Sequence, residues 1–360
     1  MYDVAIVGAG PAGATLARLL SGRCRVLLLH RQRKKCCGGI LAPESQKMLA
    51  KFDLALPREI LVDPQPFAVA VWDLQSRLVR HYARQYVNID RNAFDHWLVS
   101  LIPANVDIRV GAVYRRSQYV DADKDCLEIF FTENGEIRSE QVRFLVGADG
   151  AFSTVRREFF ADHPNPKRYI ALQEWFELQT VLPEDSPKNG IDFRNDYVGI
   201  FDSEITDFYA WTIPKNEQII FGSAIPYGNK TRELFERLRA KLKNIGVSFD
   251  SPFYREAGSL LRPLNPFSVY CGSDRVFLIG EAAGLISPSS AEGISPALTS
   301  AYYLAQTFGS QGFNLPAYRK NLRPLRRQLW LKTIKIPIMF YPWFRKQIML
   351  TGLTALDHSR

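Results

Sequence analysis

Residues 2–30 read YDVAIVGAGPAGATLARLLSGRCRVLLLH. The continuous apolar run YDVAIV predicts a strand buried on both faces and stopped by Gly8. PAGATLARLLSG predicts a helix, with Pro11 in its first turn and Gly22 just past its end. RVLLLH predicts a second buried strand, which completes a βαβ unit. Between the first strand and the helix stands Gly8-Ala-Gly10-Pro11-Ala12-Gly13, a GxGxxG fingerprint in the setting a dinucleotide site requires. Gly8 allows the tight turn, Gly10 lets a pyrophosphate reach main chain, and Gly13 allows close helix–strand packing. An inert structural turn is the other reading. The acid that would end the second strand and hold a ribose is missing, and His30 and Arg31 take its place. His30 either donates to a ribose hydroxyl or caps the surface, and Arg31 suits an adenine or an extra phosphate.

Working outward, 360 residues exceed one ordinary core, so two domains or one elaborated domain are expected. An apolar fraction of 46% and an aromatic fraction of 12% mark a globular chain. Five cysteines, odd in number and not spaced as a zinc site, point to free thiols. The start lacks a basic leader, which fits a reducing, cytoplasmic setting. Charge is placed unevenly. From Gly293 to Leu356 there is no Asp or Glu but nine Lys or Arg, which equals the whole net charge of +9. That asymmetry suggests an anionic surface or ligand.

LAPESQKMLAKF and DRNAFDHWLVSLI read as helices, and Glu133-Asn-Gly-Glu136 as a hairpin turn. From about Arg168 to Leu264, YIALQEWFEL, DFYAWTIP and EQIIFGSAIP read as an antiparallel sheet, with RELFERLRAKLKNIG as an inserted helix. Trp72, Trp175, Phe176, Tyr209, Trp211 and Phe221 are its expected walls. Trp175 and Trp211 are either cavity lining or core. Glu174 and Lys215 are the few charges in these strands, and the sequence assigns neither a role. Two more turns carry chemistry. LVGADGAFSTVRR runs from a strand through Asp149 and Gly150 into a basic helix start. FLIGEAAGLISPSSAEGI keeps a bare backbone between Gly280-Glu281 and the helix opening at Gly293 and Ile294.

In order, GxGxxG, RNAFDHWL, GADGAFSTVRR and FLIGEAAGLISPSSAEGI resemble the FAD-binding motifs of the p-hydroxybenzoate hydroxylase superfamily. Lys35-Cys-Cys37-Gly38-Gly39 and Phe208-Tyr209-Ala-Trp211-Thr-Ile-Pro214 are similar to the loop and strand of its geranylgeranyl reductase branch. Within it, CCGGILAP, QEWF, GEAAG and the SSAEGIS run most resemble bacterial colicin M resistance-type FAD-binding proteins. The resemblance covers about residues 1–310. It implies an α/β fold: a Rossmann-like FAD-binding domain of glutathione reductase type (1–65, 90–167 and 265–312), interrupted by a mixed, largely antiparallel substrate domain (66–89 and 168–264). A basic C-terminal helical tail (313–360) follows.

Carried over residue by residue, Gly8, Gly10 and Gly13, with Pro11 and Ala12 between them, hold the FAD pyrophosphate, and Arg91 lies near it. Gly38 and Gly39 flank the cofactor. Asp149 and Gly150 serve pyrophosphate and incoming NAD(P)H or another electron donor. Glu281, at the end of Gly280, takes the place of a ribityl-binding Asp and is one methylene longer. Gly293 and Ile294 offer amides to the flavin edge, where a helix start stabilises negative charge. Cys37 is the catalytic candidate as a proton source, or else a small packing residue. Cys36 replaces a proline usual in the branch. Trp175, Tyr209 and Trp211 are the substrate candidates.

The implied activity is hydride transfer from flavin N5 to a carbon–carbon double bond of an apolar isoprenoid or lipid. The alternatives are an FAD-dependent monooxygenase on an aromatic or lipid compound, and a lipid-binding or regulatory protein with a remnant flavin site. The tail, whose core IPIMFYPW is too short to span a bilayer, suits peripheral attachment to an anionic membrane, on its inner face, or else a docked terminal helix. Nothing accompanies the charge that would indicate nucleic acid.

Overall fold

Val4, Ala5 and Ile6 are fully buried, as a strand between parallel neighbours demands. In the computed structural model, which describes residues 1–120, 125–181, 190–249, 251–353 and 355–356, this strand (Tyr2–Val7) pairs in parallel with Val26–His30 and with Glu136–Gly147. The helix Pro11–Leu20 connects the first two. Val276–Leu278 joins the far side of Glu136–Gly147, and Asp107–Val110 joins Val26–His30, both in parallel. Gly272–Ser273 pairs antiparallel with Val276–Leu278, and Val113–Tyr119 and Leu127–Glu133 form an antiparallel extension, which makes eight strands among the described residues. Asn134 and Gly135 both take left-handed backbone in the turn after Glu133, as a two-residue hairpin of this type needs.

The described residues form two units. The first is Met1–Lys34, Asn92–Lys167 and Leu261–Lys332, and the second is Lys35–Arg91, Arg168–Leu260 and Thr333–Arg360. Residues 35–65, expected with the nucleotide domain, group with the second unit, and the tail is divided between the two. The reason for the first difference is local. Gly38 packs on Ile213, and Gly39 lies against Ile89 and the ammonium of Lys215.

The second unit is built on a seven-stranded sheet in the order Tyr254–Arg262, Lys167–Glu177, Gln218–Pro226, Ala210–Lys215, Tyr197–Phe201, Ala68–Asp73, Leu78–Ala83. From Lys167–Glu177 to Tyr197–Phe201 neighbours pair antiparallel, as do Ala68–Asp73 and Leu78–Ala83, while Tyr197–Phe201 runs parallel to Ala68–Asp73. Alternation sorts its side chains onto two faces. One face carries Trp72, Phe176, Ile200, Ile219, Phe221 and Ile225 into a core that the helix Thr231–Asn244 closes with Phe235, Leu238 and Leu242. Phe221 stacks on Phe249 with ring centroids 4.5 Å apart. Trp72, Phe176 and Phe221, expected as walls of this sheet, are packing residues of its helix-side core. The opposite face carries Tyr197, Trp211, Ile213 and Lys215, with Gly199 and Gly222 as its low points.

The C-terminal helix Pro342–Thr351 docks on the second unit through a charge pair. Arg345, 5% exposed, sets Nη2 3.2 Å from Asp73 Oδ1 and Nε 3.1 Å from Oδ2, and Asp73 is fully buried. Phe340 packs on Phe201 and Phe208 beside it. Among the described residues no helix is long and apolar enough to cross a membrane.

Removing one partner of a buried pair strands the other charge, which costs about 3–5 kcal/mol. Asp73→Ala is therefore expected to lower the urea midpoint by that amount of stability. A loss below roughly 1 kcal/mol, the range of an exposed pair, would show that Arg345 does not depend on Asp73.

Candidate functional site

The first unit gathers three turns at the ends of its parallel strands. At the first, Gly8 has φ of 103°, and a side chain there would press on Ala148, with its oxygen 2.6 Å away. A side chain on Gly13 would strike the Gly8 carbonyl. Gly10 differs: its φ of −70° is ordinary, and a Cβ there would meet nothing within 4 Å. The helix begins at Pro11 with no side-chain cap, and its first turn bond runs from Ala14 N–H to Gly10 O at 2.9 Å. Ala12 is buried beside Gly280, whose added Cβ would lie 3.0 Å from that of Ala12. The start of this helix thus has no side-chain cap, and open space lies beside Gly10.

At the second turn, Asp149 Oδ2 accepts from Thr154 N–H at 2.6 Å and Val155 N–H at 3.4 Å. Its Oδ1 is buried with no partner among the described residues. Burial pushes this carboxyl above its ordinary value, while the hydrogen bonds from Ser153 and Thr154 pull the other way. Gly150 follows with φ of 76° and open space beside it. Ser153 caps the next helix by accepting from Arg156 N–H at 2.9 Å. The buried Arg156 guanidinium then ties the turns together, donating to Ala282 O at 3.3 Å, Pro164 O at 3.0 Å and Ser268 O at 2.8 Å. Sequence reasoning gave Arg156 no role, since its acceptors are carbonyls that no pattern marks.

The third turn is Gly280–Ala283. Gly280 N–H donates to Ser300 Oγ at 2.9 Å, and Glu281 Oε1 accepts from Leu261 N–H at 3.2 Å. The extra methylene of Glu281 thus brings a carboxylate oxygen to main chain. Arg262 Nε holds Pro288 O at 2.8 Å and so shapes the bare loop that follows. Glu292 Oε1 accepts from Ser295 N–H at 2.7 Å, which caps the helix opening at Gly293 and Ile294 with its own acid. His30 ends its strand as expected. Burial lowers its pKa first, and His96 lowers it further, against a weaker opposing pull from Asp95. Arg31 is exposed, and Arg91 is buried at the start of the helix Arg91–Ser100.

In the second unit, loop 36–39 lies on the sheet face opposite the helix. Cys36 donates to Ala171 O at 3.7 Å, packs on Gly258, and has its thiol pKa pushed up by burial. Cys37 Sγ accepts from Gly39 N–H at 3.5 Å. Lys215 fixes this loop: its buried ammonium donates to Gly39 O at 3.2 Å, Ile89 O at 2.8 Å and Asn88 Oδ1 at 2.5 Å. Burial brings Lys215 down to about 7, with the nearby Cys37 and Asp90 working in the opposite direction. Tyr197 lies beside Tyr209 and within electrostatic range of Cys37, and burial raises its pKa well above the phenol norm. The two tryptophans separate. Trp175 Nε1 donates to Glu256 Oε1 at 3.2 Å, whereas Trp211 Nε1 is buried without a partner among the described residues. The Trp211 indole lies over Gly222, where a Cβ would come within 2.6 Å of it. Tyr209 packs edge-on against Trp211 and stacks on Phe201. Glu174, unassigned from sequence, pairs with Arg255 at 2.9 Å and Arg239 at 3.3 Å.

Residues 106–311 match the family model described as an FAD binding domain. The chain belongs to this FAD-binding family. It is 39% identical over 368 residues to Protein CbrA of Escherichia coli O6:H1, covering 100% of this chain and 96% of that relative. Protein CbrA of Shigella sonnei gives 39% over 368 residues, 100% and 99%. Among solved structures, a geranylgeranyl bacteriochlorophyll reductase-like protein from Thermoplasma acidophilum superposes with TM-score 0.75 at 16% identity, over 96% of this chain and 98% of that one. PqsL of Pseudomonas aeruginosa, described as "a probable FAD-dependent monooxygenase", gives 0.69 at 17%, over 98% and 99%. At such identities these two likenesses show the fold. The resemblance read from the motifs, and the α/β flavoprotein fold it implied, are borne out.

The first unit fits the FAD-binding family's cofactor on its own observations. The space at Gly10 and the unpartnered Asp149 Oδ1 are features that a purely structural turn does not need. Gly10→Ala would put a Cβ into that space with no other atom within 4 Å, so the apoprotein should keep its melting temperature. Its affinity for FAD should fall on the order of tenfold or more, a loss of at least 1.4 kcal/mol, read by flavin fluorescence titration. Unchanged affinity would remove Gly10 from the cradle.

Lys215 generates a pH test. An unfolded lysine keeps its proton to about pH 10.4, while the folded one releases it near 7. Between these values the unfolded state binds more protons, so this group makes stability rise with pH, by at most roughly 1.4 kcal/mol per unit. Compared with Lys215→Met, the natural protein should gain in urea midpoint between pH 7.5 and 9.5. A constant difference would contradict the burial-lowered value.

Proposed function

We propose that this FAD-binding protein is an oxidoreductase that saturates carbon–carbon double bonds in an apolar isoprenoid or lipid substrate, using NAD(P)H or another reductant as electron donor. The reading rests on the sheet face of the second unit. Trp211 and Ile213 form an apolar wall there, Gly222 and Gly199 keep it low, and the Cys37 loop is pinned on it by Lys215. An apolar wall with few polar groups suits a hydrocarbon chain better than a polar metabolite. The buried donor at Trp211 Nε1 suits one polar end group.

Gly8, Gly10, Gly13 and Asp149 would hold FAD, with Arg91, Gly150, Glu281, Gly293 and Ile294 as further contacts. FAD, when bound, supplies two-electron redox chemistry. Saturating a double bond consumes a hydride and a proton, and the chain's own task is the proton. Cys37 Sγ is the donor assigned here. A thiolate formed there would lie beside the Gly39 N–H and within range of the Lys215 ammonium, both of which stabilise negative charge. Tyr197, kept protonated by burial, is a weaker acid beside it.

The test is anaerobic incubation of FAD-loaded, dithionite-reduced protein with a polyprenyl alcohol, read by mass spectrometry. The expected product gains two hydrogens per bond saturated, and Cys37→Ser should slow it by about 100-fold, the lower range for a lost general acid. A product that instead gains one oxygen in air would establish the monooxygenase. No product under either condition would leave a binding protein.

A further inference from the structure

The helix Arg323–Phe340 has two apolar faces, one buried and one exposed. Leu325, Leu329 and Phe340 are buried on the inner side. On the other side Trp330, Ile334 and Ile338, spaced four residues apart, are 48%, 55% and 42% exposed. That spacing is one helical stripe. Just beyond it in the chain, Tyr341 is 61% exposed, and Trp343 and Phe344 in the first turn of the next helix are 65% and 47% exposed. Isolated exposed apolar residues need no explanation, but six such residues within fifteen positions do.

We propose that this stripe seats the protein on the surface of an anionic bilayer. Charge selects the occupant. Lys335 and Lys346 lie exposed among the apolar residues, and Gly293–Leu356 contains no acid to offset them. A second copy of the chain would bring a like basic surface against this one. A layer of acidic headgroups over hydrocarbon complements both features: indole and phenol rings sit at the headgroup level, and lysines lie against phosphate. Arg345 takes no part, since its guanidinium is held by Asp73. The helix does not cross the membrane; it lies in the interface. The proposal is independent of the reaction assigned above.

The test is co-sedimentation of the full-length FAD-loaded protein with vesicles of phosphatidylglycerol and phosphatidylcholine, compared with phosphatidylcholine alone. Binding should need the anionic lipid, fall steeply with added salt, and shift tryptophan emission to the blue. Ile338→Glu with Trp343→Glu, both at exposed positions, should lose binding at least about tenfold with flavin content unchanged. Lys335→Glu with Lys346→Glu should weaken binding to the anionic vesicles specifically. Equal binding to neutral vesicles, or full binding by the apolar double variant, would overturn the proposal. So would a dimer in sedimentation velocity that this variant abolishes, because the stripe would then belong to a second copy.

Discussion

Main chain brought against main chain, with no side chain between, is the constraint on which the first unit depends. Gly8 turns with φ of 103° directly against Ala148, and Gly13 sits on the Gly8 carbonyl. Gly280 lies between Ala12 and Ala297, so the helices Pro11–Leu20 and Ile294–Ala305 meet over small residues. These contacts draw the ends of three parallel strands, and therefore the Gly10, Asp149 and Glu281 turns, to one edge of the sheet. Arg156 locks the arrangement by serving three carbonyls at once. Close approach also strips the strand ends of side chains, which is the condition for holding a charged cofactor through amides.

The second unit solves a different problem. Its sheet has one face committed to a packed core and one kept for other use. Lys215 pins the Cys36–Gly39 loop to that second face with a full set of three donors, an expensive choice in a buried place. Asn88, which accepts from Lys215, also donates to Pro64 O and Pro214 O, so loop and sheet share one polar network. Such a network fixes the position of Cys37 more firmly than the two glycines that follow it could.

Much of this was legible in the chain. The nucleotide half announced itself because a buried parallel strand is a continuous apolar run and its turn needs glycines at fixed spacing. The hairpin at Asn134-Gly135 was equally plain. Strand limits were less so: DFYAWTIP forms strand only from Ala210, since the Asp207 carboxylate accepts from Tyr169 OH and is used in a turn. The two tryptophans share a face and look alike in sequence. What separates them is Glu256, some eighty residues from Trp175. Lys215 read as an unexplained charge because its acceptors are scattered over loop and strand ends. The basic tail was visible as composition, but the burial of Arg345 on Asp73 was not.

The central claim is that the first unit is a working FAD site, and the absorbance spectrum of the purified protein tests it most directly. A flavin spectrum, retained after dialysis with added FAD, that bleaches on anaerobic addition of dithionite is the expected result. A colourless protein that gains no flavin when incubated with FAD would contradict it.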